Sequence, residues 1–362
     1  MKLTKNVSRV KRDFPLEIAR AANYIARQKK CTRKMTPKQL QQRVAGISGK
    51  RIAVLGDYML DRYLWGRVTR ISPEAPVPVV DLERETDHLG GAANVANNLA
   101  SLGAIPFPLG VIGDDGSGAR LIHLMRENGF YVNGIVVDAS RPTTTKTRII
   151  AHNQHIVRTD RESRESIAPQ VQTTVLALLD DLMPSLHALI IEDYNKGVLT
   201  QPFLRQVLAL AQQHRCPVTV DPKFNHFLDY RGVTVFKPNR HETENVLGLK
   251  LRTKAEVVHA GQLLLEKLQA ENVLITLGAE GMALLQRNGN VYFVPTRART
   301  VADVSGAGDT VIATLTAALA AGADIIEAAT LANIAASLVV AEVGAVPIDK
   351  QKLLEEVAGF ER

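Results

Sequence analysis

The chain has 362 residues, 46% hydrophobic and 22% charged, and its two cysteines are too few for a disulfide framework or a cysteine-rich metal site. It contains no run of about 18 uncharged apolar residues and no signal-peptide core, so we expect a cytoplasmic protein without a membrane partner. The net charge of +7 does not itself indicate an acidic partner, because residues 1–51 hold 15 Lys and Arg against 2 acidic residues, which leaves 29 basic against 35 acidic residues in the remainder.

Residues 1–47 are predicted to form a basic N-terminal extension. Apolar residues recur at helical spacing within it, which predicts a positively charged helix; they are Leu16, Ile18, Ala21, Ala22 and Ile25. Such a segment is more often a solvated tail or a docking arm than a contact for nucleic acid or membrane, and we favour that interpretation. Residues 48–355 show no repeat and no low-complexity linker, so we expect one domain there, followed by a C-terminal tail over residues 356–362.

Short apolar runs alternate with helical patterns beyond residue 50, which indicates an α/β fold with a largely parallel sheet covered on both faces. Polar residues follow each run, and open α/β sheets bind ligands beyond the carboxyl ends of their strands. We therefore expect one binding crevice at that edge, although polar residues also serve ordinary turns. The predicted strands span residues 52–55, 188–191, 218–220, 233–236 and 273–275.

Two stretches do not fit this alternation. Residues 58–81 contain Trp65, three prolines and alternating valines, whereas residues 143–160 have the pattern of an extended hairpin. Strands outside a main sheet need a surface to cover. We therefore expect these segments to form a small β lid that closes over the crevice.

A pair of glycines opens a helical pattern over residues 88–103. Gly90 and Gly91 allow close backbone approach to a ligand, and Asn94 offers both a donor and an acceptor to sugar hydroxyls. Asp57 and Asp61, just past the first predicted strand, add carboxylates suited to holding hydroxyls. An ordinary loop-to-helix junction would explain the glycines but not the asparagine.

Residues 303–310, DVSGAGDT, join two glycines, a carboxylate and the start of a long apolar helix. The unpaired amides and the dipole at a helix N-terminus favour an anion. Gly306, Ala307 and Gly308 thus form a predicted anion hole, and Asp309 sets a base beside it. The alternative is a glycine-rich turn capped by Asp309 with no ligand.

The strings DVSGAGDT and HLGGAANVANNLASLG resemble the two signatures of the ribokinase-like, or PfkB, family of carbohydrate kinases. This resemblance implies a three-layer α/β/α fold with a small β lid, ATP-dependent phosphorylation of a sugar hydroxyl, and a homodimer formed through the lid. It also implies that Asp309 takes the proton of the acceptor hydroxyl and that Asp61 grips a sugar diol. Because a helix N-terminus favours the ionised carboxylate, we expect Asp309 to be a weak base.

The same resemblance implies which residues bind the nucleotide. Residues 237–242, KPNRHE, are similar to the family's PNxxE segment, which implies that Glu242 organises Mg²⁺ through water. Without the resemblance, Glu242 would be a helix-capping acid. ATP and Mg²⁺ are the implied cofactors, a monovalent cation is left open, and no GxxxxGK[ST] phosphate loop is present. The implied ATP-binding residues are Asn239, Arg240, His241, Glu242, Lys223, Thr276, Gly278, Gly281 and Asn333.

A set of cations indicates that the acceptor already bears a phosphate. Lys146, Arg148 and Arg158 of the predicted lid, together with Lys196, suit a second anion, although surface charge on a hairpin is the alternative. The strings GDYMLDRYLWG, RISPEAPVPVV, TTKTRII and DYNKGVL resemble the heptose 7-phosphate kinases within the family. This resemblance implies a phosphosugar substrate, D-glycero-β-D-manno-heptose 7-phosphate, phosphorylated at its C1 hydroxyl on the route to ADP-heptose and lipopolysaccharide.

Two alternatives stay open from the sequence. Another sugar or sugar-phosphate kinase of the same fold, such as a fructose 1-phosphate kinase, would share the phosphate-binding residues. A non-enzymatic nucleic-acid-binding or regulatory protein would depend on the basic extension alone. Some heptose kinases are fused to a nucleotidyltransferase; since this chain ends at Arg362, we expect the adenylyl step to belong to another protein.

Overall fold

The computed structural model describes residues 35–360, except residues 153, 299, 300 and 343. Most of the predicted basic extension, including the helix expected around Leu16 and Ile25, therefore lies outside the described residues.

A central sheet organises the described part of the chain. Its strands are β1 (Arg51–Gly56), β4 (Ile105–Ile112), β5 (Ile135–Val137), β8 (Ala188–Glu192), β9 (Val218–Asp221), β10 (Val235–Phe236), β11 (Asn272–Thr276), β12 (Met282–Gln286) and β13 (Val291–Val294). Within the described residues these nine strands lie in the order β13-β12-β11-β10-β9-β8-β1-β4-β5. The strands from β11 to β5 are parallel, whereas β12 and β13 add an antiparallel edge.

The five predicted strands are all present as β1, β8, β9, β10 and β11, although β10 is shortened to two residues. Both faces of β1 and β8 are buried, so these strands appear in the sequence as continuous apolar runs rather than alternating ones. The largely parallel sheet expected from the sequence is confirmed.

Helices cover both faces of the sheet, which gives three α/β/α layers. On one face lie α1 (Pro37–Ala45), α2 (Ala92–Ser101), α3 (Gly116–Glu127), α8 (Ala307–Ala320), α9 (Ile325–Val339) and α10 (Lys350–Ala358). On the other lie α4 (Pro169–Leu182), α5 (Gln201–Gln213), α6 (Arg240–Leu247) and α7 (Lys254–Leu268). Single 3₁₀ turns occupy Val132–Gly134, Met183–Ser185 and Gly278–Glu280. Among the helices described, none combines the length and apolar character needed to cross a bilayer.

A separate four-stranded sheet, here called the lid, consists of β2 (Tyr58–Ile71), β3 (Pro78–Gly91), β6 (Thr144–Ala151) and β7 (Gln154–Arg161) in the order β3-β2-β6-β7. The small sheet and the β6–β7 hairpin expected from the sequence are confirmed. However, β3 continues to Gly91, beyond the predicted end at residue 81, and leads directly into α2. The lid is thus tied to the glycine pair of the crevice.

Both ends of the described chain pack on the main domain. Leu40 and Val44 of α1 are fully buried, and Arg43 Nε lies 2.9 Å from Glu327 Oε2 of α9. Val357 of α10 is also fully buried. The predicted boundaries at residues 47 and 355 therefore fall among elements that contribute to the core.

Candidate active site

Asp309 lies in the first turn of α8, and only 6% of the residue is exposed. Gly306 caps this helix with a φ of 76°, a left-handed conformation that favours glycine. The Ala307 N–H donates to Val304 O at 3.3 Å. The amides of Gly308 and Asp309 are therefore the donors of the first turn best placed to meet an anion.

Two side chains fix the carboxylate of Asp309. Asn94 Nδ2 donates to Asp309 Oδ2 at 2.7 Å, and the Tyr194 hydroxyl donates to Asp309 Oδ1 at 2.9 Å. Asn94 was predicted to bind sugar hydroxyls; in the structure its amide donates to the predicted base, and its contact with a sugar stays a prediction. Because each carboxylate oxygen accepts one protein hydrogen bond, each retains a lone pair for an incoming hydroxyl.

Burial raises the pKa of Asp309 to about 6, and repulsion from Asp221 adds to the rise, while the hydrogen bonds from Asn94 and Tyr194 oppose it. The sequence-based expectation of a weak base considered the helix N-terminus but not the loss of water around the carboxylate. At neutral pH the group is still mostly ionised, and it is a stronger base than a free aspartate.

Asp57 lies at the end of β1 and is 1% exposed. Its Oδ2 accepts the backbone N–H groups of Tyr194 at 2.7 Å and Lys196 at 3.1 Å, which holds the loop after β8 in place. Burial raises the pKa of Asp57 to about 6, with a further contribution from Asp193. Its Oδ1 is buried and has no hydrogen-bond partner in the described part of the chain.

The glycine pair at the end of β3 lets the Asp61 carboxylate and the Asp57 backbone carbonyl approach closely. A Cβ at Gly90 would lie 2.7 Å from Asp61 Oδ2, and one at Gly91 would lie 2.6 Å from Asp57 O. Arg148 Nη1 contacts Asp61 Oδ1 at 2.7 Å. The structure thus brings together four residues that the sequence placed at the crevice: Asp57, Asp61, Gly90 and Gly91. In addition, Asp61 forms an ion pair with Arg148 of the lid.

Two acidic residues from the sheet edge lie close to Asp309. Glu192 ends β8, Asp221 ends β9, and ligand oxygens of Glu192, Asp221 and Asp309 all lie within 4.8 Å of one another. Lys237 Nζ lies 2.8 Å from Asp221 Oδ2. Burial raises the pKa of Glu192 well above its ordinary value, and Asp221 and Asp309 reinforce the rise. Carboxylate oxygens are the donors that Mg²⁺ prefers, so this set fits a divalent cation.

Asn239 and Glu242 form the N-terminal cap of α6. The Glu242 N–H donates to Asn239 Oδ1 and the Asn239 N–H donates to Glu242 Oε2, both at 2.8 Å. Lys223 Nζ lies 2.6 Å from the remaining oxygen, Glu242 Oε1. The helix-capping role considered for Glu242 from the sequence is therefore present, and its role toward Mg²⁺ stays a prediction.

A cavity of about 270 Å³ opens beside the N-terminus of α8. Among its lining residues are the predicted nucleotide contacts Thr276, Gly278, Gly281 and Asn333, the anion-hole residues Ala307 and Gly308, and apolar side chains that include Val301, Val304 and Val340. Asn333 Nδ2 donates to Pro295 O at 2.7 Å, which orients its amide. An apolar cavity that ends at an anion hole suits a nucleotide, with its base in the cavity and its phosphates at the helix.

Arg240 and His241, also predicted to bind ATP, lie outside this cavity. Arg240 Nη2 lies 2.5 Å from Glu280 Oε1 across the 3₁₀ turn at Gly278–Glu280. His241 is exposed, and its Nε2 lies 3.0 Å from Asn245 Nδ2. Neither side chain lines the 270 Å³ cavity.

The four cations predicted to meet an acceptor phosphate differ in their partners. Arg148 is paired with Asp61, Arg158 with Asp160, and Lys196 with Glu162. Lys146 has no carboxylate within ion-pair distance in the described chain; its Nζ lies 5.1 Å from the ring centroid of Tyr194. Burial lowers the pKa of Lys146, and the positive charges of Lys196 and Arg158 lower it further.

Sequence reasoning assigned no individual role to four residues that the site contains. Tyr194 contacts the base, Lys237 is paired with Asp221, and Glu192 and Asp221 belong to the acidic group. Each follows or ends a predicted strand, so the position at the sheet edge was visible in the sequence. The strand pairing that brings these residues together was not visible in the sequence.

The profile for "pfkB family carbohydrate kinase" matches residues 50–351. Among curated proteins, "Bifunctional protein HldE" of Geobacter sulfurreducens is 43% identical over 327 residues, which cover 90% of this chain and 66% of that protein. The protein of the same name from Geobacter metallireducens is 44% identical over 308 residues, 85% of this chain and 63% of that protein. The chain thus spans slightly less than two thirds of the length of these relatives.

Solved structures show the same fold at low sequence identity. Arabidopsis thaliana ribokinase, complexed with ribose and ATP, has a TM-score of 0.67 at 19% identity, covering 87% of this chain and 100% of that one. Escherichia coli phosphofructokinase-2, in complex with substrates and products, has a TM-score of 0.69 at 18% identity, covering 85% and 99%. These likenesses confirm the three-layer fold with its small sheet.

Proposed function

The chain belongs to the pfkB family of carbohydrate kinases, as an ATP-dependent phosphotransferase with an alcohol acceptor, and we propose that its acceptor is the C1 hydroxyl of D-glycero-β-D-manno-heptose 7-phosphate. The product would be the 1,7-bisphosphate, a precursor of ADP-heptose for lipopolysaccharide. The observation that carries the proposal is Asp309, a buried base held by Asn94 and Tyr194 at the positive end of α8.

The reaction follows from this arrangement. The acceptor hydroxyl donates its proton to Asp309, its oxygen forms a bond to the γ-phosphorus of ATP, and the bond between that phosphorus and the β–γ bridging oxygen breaks to release ADP. Phosphoryl transfer has a loose transition state, so positioning and charge stabilisation matter more than the strength of the base. The amides of Gly308 and Asp309 are placed to stabilise charge on the γ-phosphoryl oxygens.

The divalent cation, which we propose to be Mg²⁺, would neutralise phosphate charge when bound. Glu192 and Asp221 at the sheet edge and Glu242 in the first turn of α6 are the side chains suited to hold it. Lys223 and Lys237 lie among these carboxylates and would add positive charge near the phosphates.

We propose that Lys146 binds the phosphate that the acceptor already carries. Its ammonium is the member of the predicted set that lacks a carboxylate partner in the described residues. It lies over the ring of Tyr194, whose hydroxyl contacts Asp309, so an acceptor could reach both Lys146 and the base. A half-buried, unpaired ammonium is stabilised by an anion, which supports a phosphosugar rather than a neutral sugar.

We also propose a homodimer formed through the lid. Ile71, Leu82 and Val157 of the lid are 60%, 59% and 47% exposed, although they are large apolar side chains. A second lid would cover these residues and the free edges of β3 and β7.

A substrate panel tests the proposed acceptor. Initial rates of ADP release should be measured with heptose 7-phosphate, fructose 1-phosphate, fructose 6-phosphate and unphosphorylated heptose. We expect kcat/KM to be highest for heptose 7-phosphate. A higher value for a fructose phosphate would instead support the alternative of another sugar-phosphate kinase on the same fold.

The variant Lys146→Gln tests the proposed phosphate contact. We expect it to raise the KM for heptose 7-phosphate by about 10- to 100-fold, the range for a lost hydrogen bond between charged groups, with little change in the KM for ATP. Arg67→Gln, which removes an exposed cation elsewhere on the lid, serves as the matched control. Equal KM values of the two variants for heptose 7-phosphate would contradict the contact between Lys146 and the acceptor phosphate.

A further inference from the structure

We propose that Glu192 binds the divalent cation directly, together with Asp221. This inference rests on the proposed kinase function, and it concerns a residue to which the sequence motifs gave no role.

The sheet sets Glu192 and Asp221 side by side. The two residues are register partners in the parallel pair β8–β9 and are the last residues of their strands. Residues at paired positions of neighbouring strands point to the same face. That face is the one covered by α8, and Asp309 completes the group from the first turn of this helix.

Glu192 is the member of the group whose oxygens are uncommitted. It is 0% exposed, and neither Oε1 nor Oε2 has a hydrogen-bond partner within the residues described. By contrast, Asp221 Oδ2 contacts Lys237, and both oxygens of Asp309 accept hydrogen bonds. Burying a carboxylate without a partner is costly, so such a group in a folded protein requires an explanation. A bound cation supplies one.

Glu242 offers less to a cation. Its Oε2 accepts the Asn239 N–H at 2.8 Å, and its Oε1 lies 2.6 Å from Lys223 Nζ. A cation could reach Glu242 through a water, but direct coordination would have to break a helix cap or an ion pair. Glu192 loses no protein contact when it coordinates.

The local charges also call for a cation. In their ionised forms Glu192, Asp221, Glu242 and Asp309 carry four negative charges, and Lys223 and Lys237 carry two positive ones. This excess of negative charge lies next to Gly308, since a Cβ there would be 3.6 Å from Asp221 Oδ2. A triphosphate at the anion hole would be repelled unless a divalent cation were held between the phosphates and these carboxylates.

The test is a Mn²⁺ titration of the whole chain without nucleotide or sugar, read by the electron paramagnetic resonance signal of free Mn²⁺. Mn²⁺ stands in for Mg²⁺ because both prefer octahedral oxygen ligands. We expect Glu192→Gln to weaken Mn²⁺ binding by at least about 10-fold, since even supporting residues of metal sites cost that much. Glu192→Asp, which keeps a carboxylate, should restore part of the affinity, and Glu266→Gln on the exposed face of α7 should match the wild type.

Thermal unfolding without metal provides a second readout. Glu192→Gln should be at least as stable as the wild type, because it removes a charge from a dry site, and Mn²⁺ should raise the unfolding temperature of the wild type but not of this variant. Wild-type protein that binds no Mn²⁺, or Glu192→Gln with an affinity within about twofold of wild type, below the loss typical of metal-site residues, would overturn the inference. Because the assay contains no sugar, a wrong acceptor assignment would leave this result unchanged.

Discussion

At the scale of single residues, the base is defined by its surroundings rather than by its motif. The string GAGD identifies Asp309, but its pKa of about 6 comes from burial and from Asp221, with Asn94 and Tyr194 opposing the rise. Those neighbours lie on α2, after β8 and at the end of β9, so only the folded chain brings them to the carboxylate. A single sequence could predict the residue and not its basicity.

The raised pKa predicts an acid limb in the pH dependence of catalysis. Only ionised Asp309 accepts the proton, so log(kcat/KM) should fall as pH decreases through about 6. Tyr194→Phe removes a hydrogen bond that stabilises the ionised form, so it should move this limb to higher pH. Comparing the wild type with Tyr194→Phe also controls for the phosphate on the acceptor, because that phosphate titrates near pH 6 with both enzymes. A limb that stays in place or moves to lower pH would contradict the role of Tyr194.

The same shift predicts that stability and activity respond to pH in opposite directions. The folded pKa of Asp309, about 6, exceeds the ordinary aspartate pKa of 3.8 that holds in the unfolded chain, so this group favours folding fully below the lower value and loses that contribution as pH rises through the higher one. Asp57, also raised to about 6, acts in the same direction. Asp309→Asn should therefore be at least as stable as the wild type at pH 7.5 by thermal unfolding. A marked loss of stability would show that contacts within the protein offset the cost of burying the Asp309 charge.

At the scale of elements, the sequence predicts five of the parallel strands of the central sheet, and it misses β5, β12 and β13. It also misses β4, whose Pro106 and Pro108 argue against a strand. The structure explains this exception: the Ile105 N–H donates to Lys50 O on the β1 side, so the alternate residues Pro106 and Pro108 face the other edge. There β5 pairs only with Gly110 to Ile112 of β4, and no ladder donor is needed at either proline.

The start of α8 gives an element-scale prediction. Gly308 has ordinary helical geometry, and a Cβ there would contact Asp221 Oδ2 and Lys237 Nζ only at 3.6 and 3.7 Å. Gly308→Ala should therefore keep or raise stability by up to about 1 kcal/mol while lowering turnover, because the methyl group would occupy the approach to the phosphate. Gly306→Ala is the matched comparison: its φ of 76° and a Cβ at 3.0 Å from Asn94 Nδ2 predict lower stability. Unfolding curves and initial rates distinguish the two, and full activity of Gly308→Ala would contradict the anion hole.

At the scale of the whole molecule, the central sheet and the lid contribute different residues to the site. The central sheet brings the charged ends of β1, β8 and β9 to one edge, and the lid delivers Arg148 and Lys146 to the same crevice. The sequence predicts that a lid exists, but not that Arg148 is committed to Asp61 while Lys146 is not. Such pairing depends on the parallel register of β2 and β6, which is a long-range contact with no local signal.

The exposed apolar residues of the lid predict the assembly state. Light scattering coupled to size exclusion should give the wild type about twice the chain mass of 39.5 kDa. Leu82→Asp places a charge on this surface and should shift the mass to that of one chain. Leu82→Gln, which is polar but uncharged, should lie between them. A wild-type protein that elutes as a single chain at high concentration would rule out the lid dimer.

The most direct test of the account is ³¹P NMR of the reaction of heptose 7-phosphate and ATP with wild type and Asp309→Asn, using Asp181→Asn on the exposed face of α4 as the control. For the wild type and the control we expect one new anomeric phosphate resonance, formed in step with ADP. For Asp309→Asn we expect turnover lower by about 10² to 10⁴ fold, with the KM for ATP little changed. Near-normal turnover of Asp309→Asn, or ADP formed without a new sugar phosphate, would contradict the assignment of Asp309 as the base that activates the sugar hydroxyl.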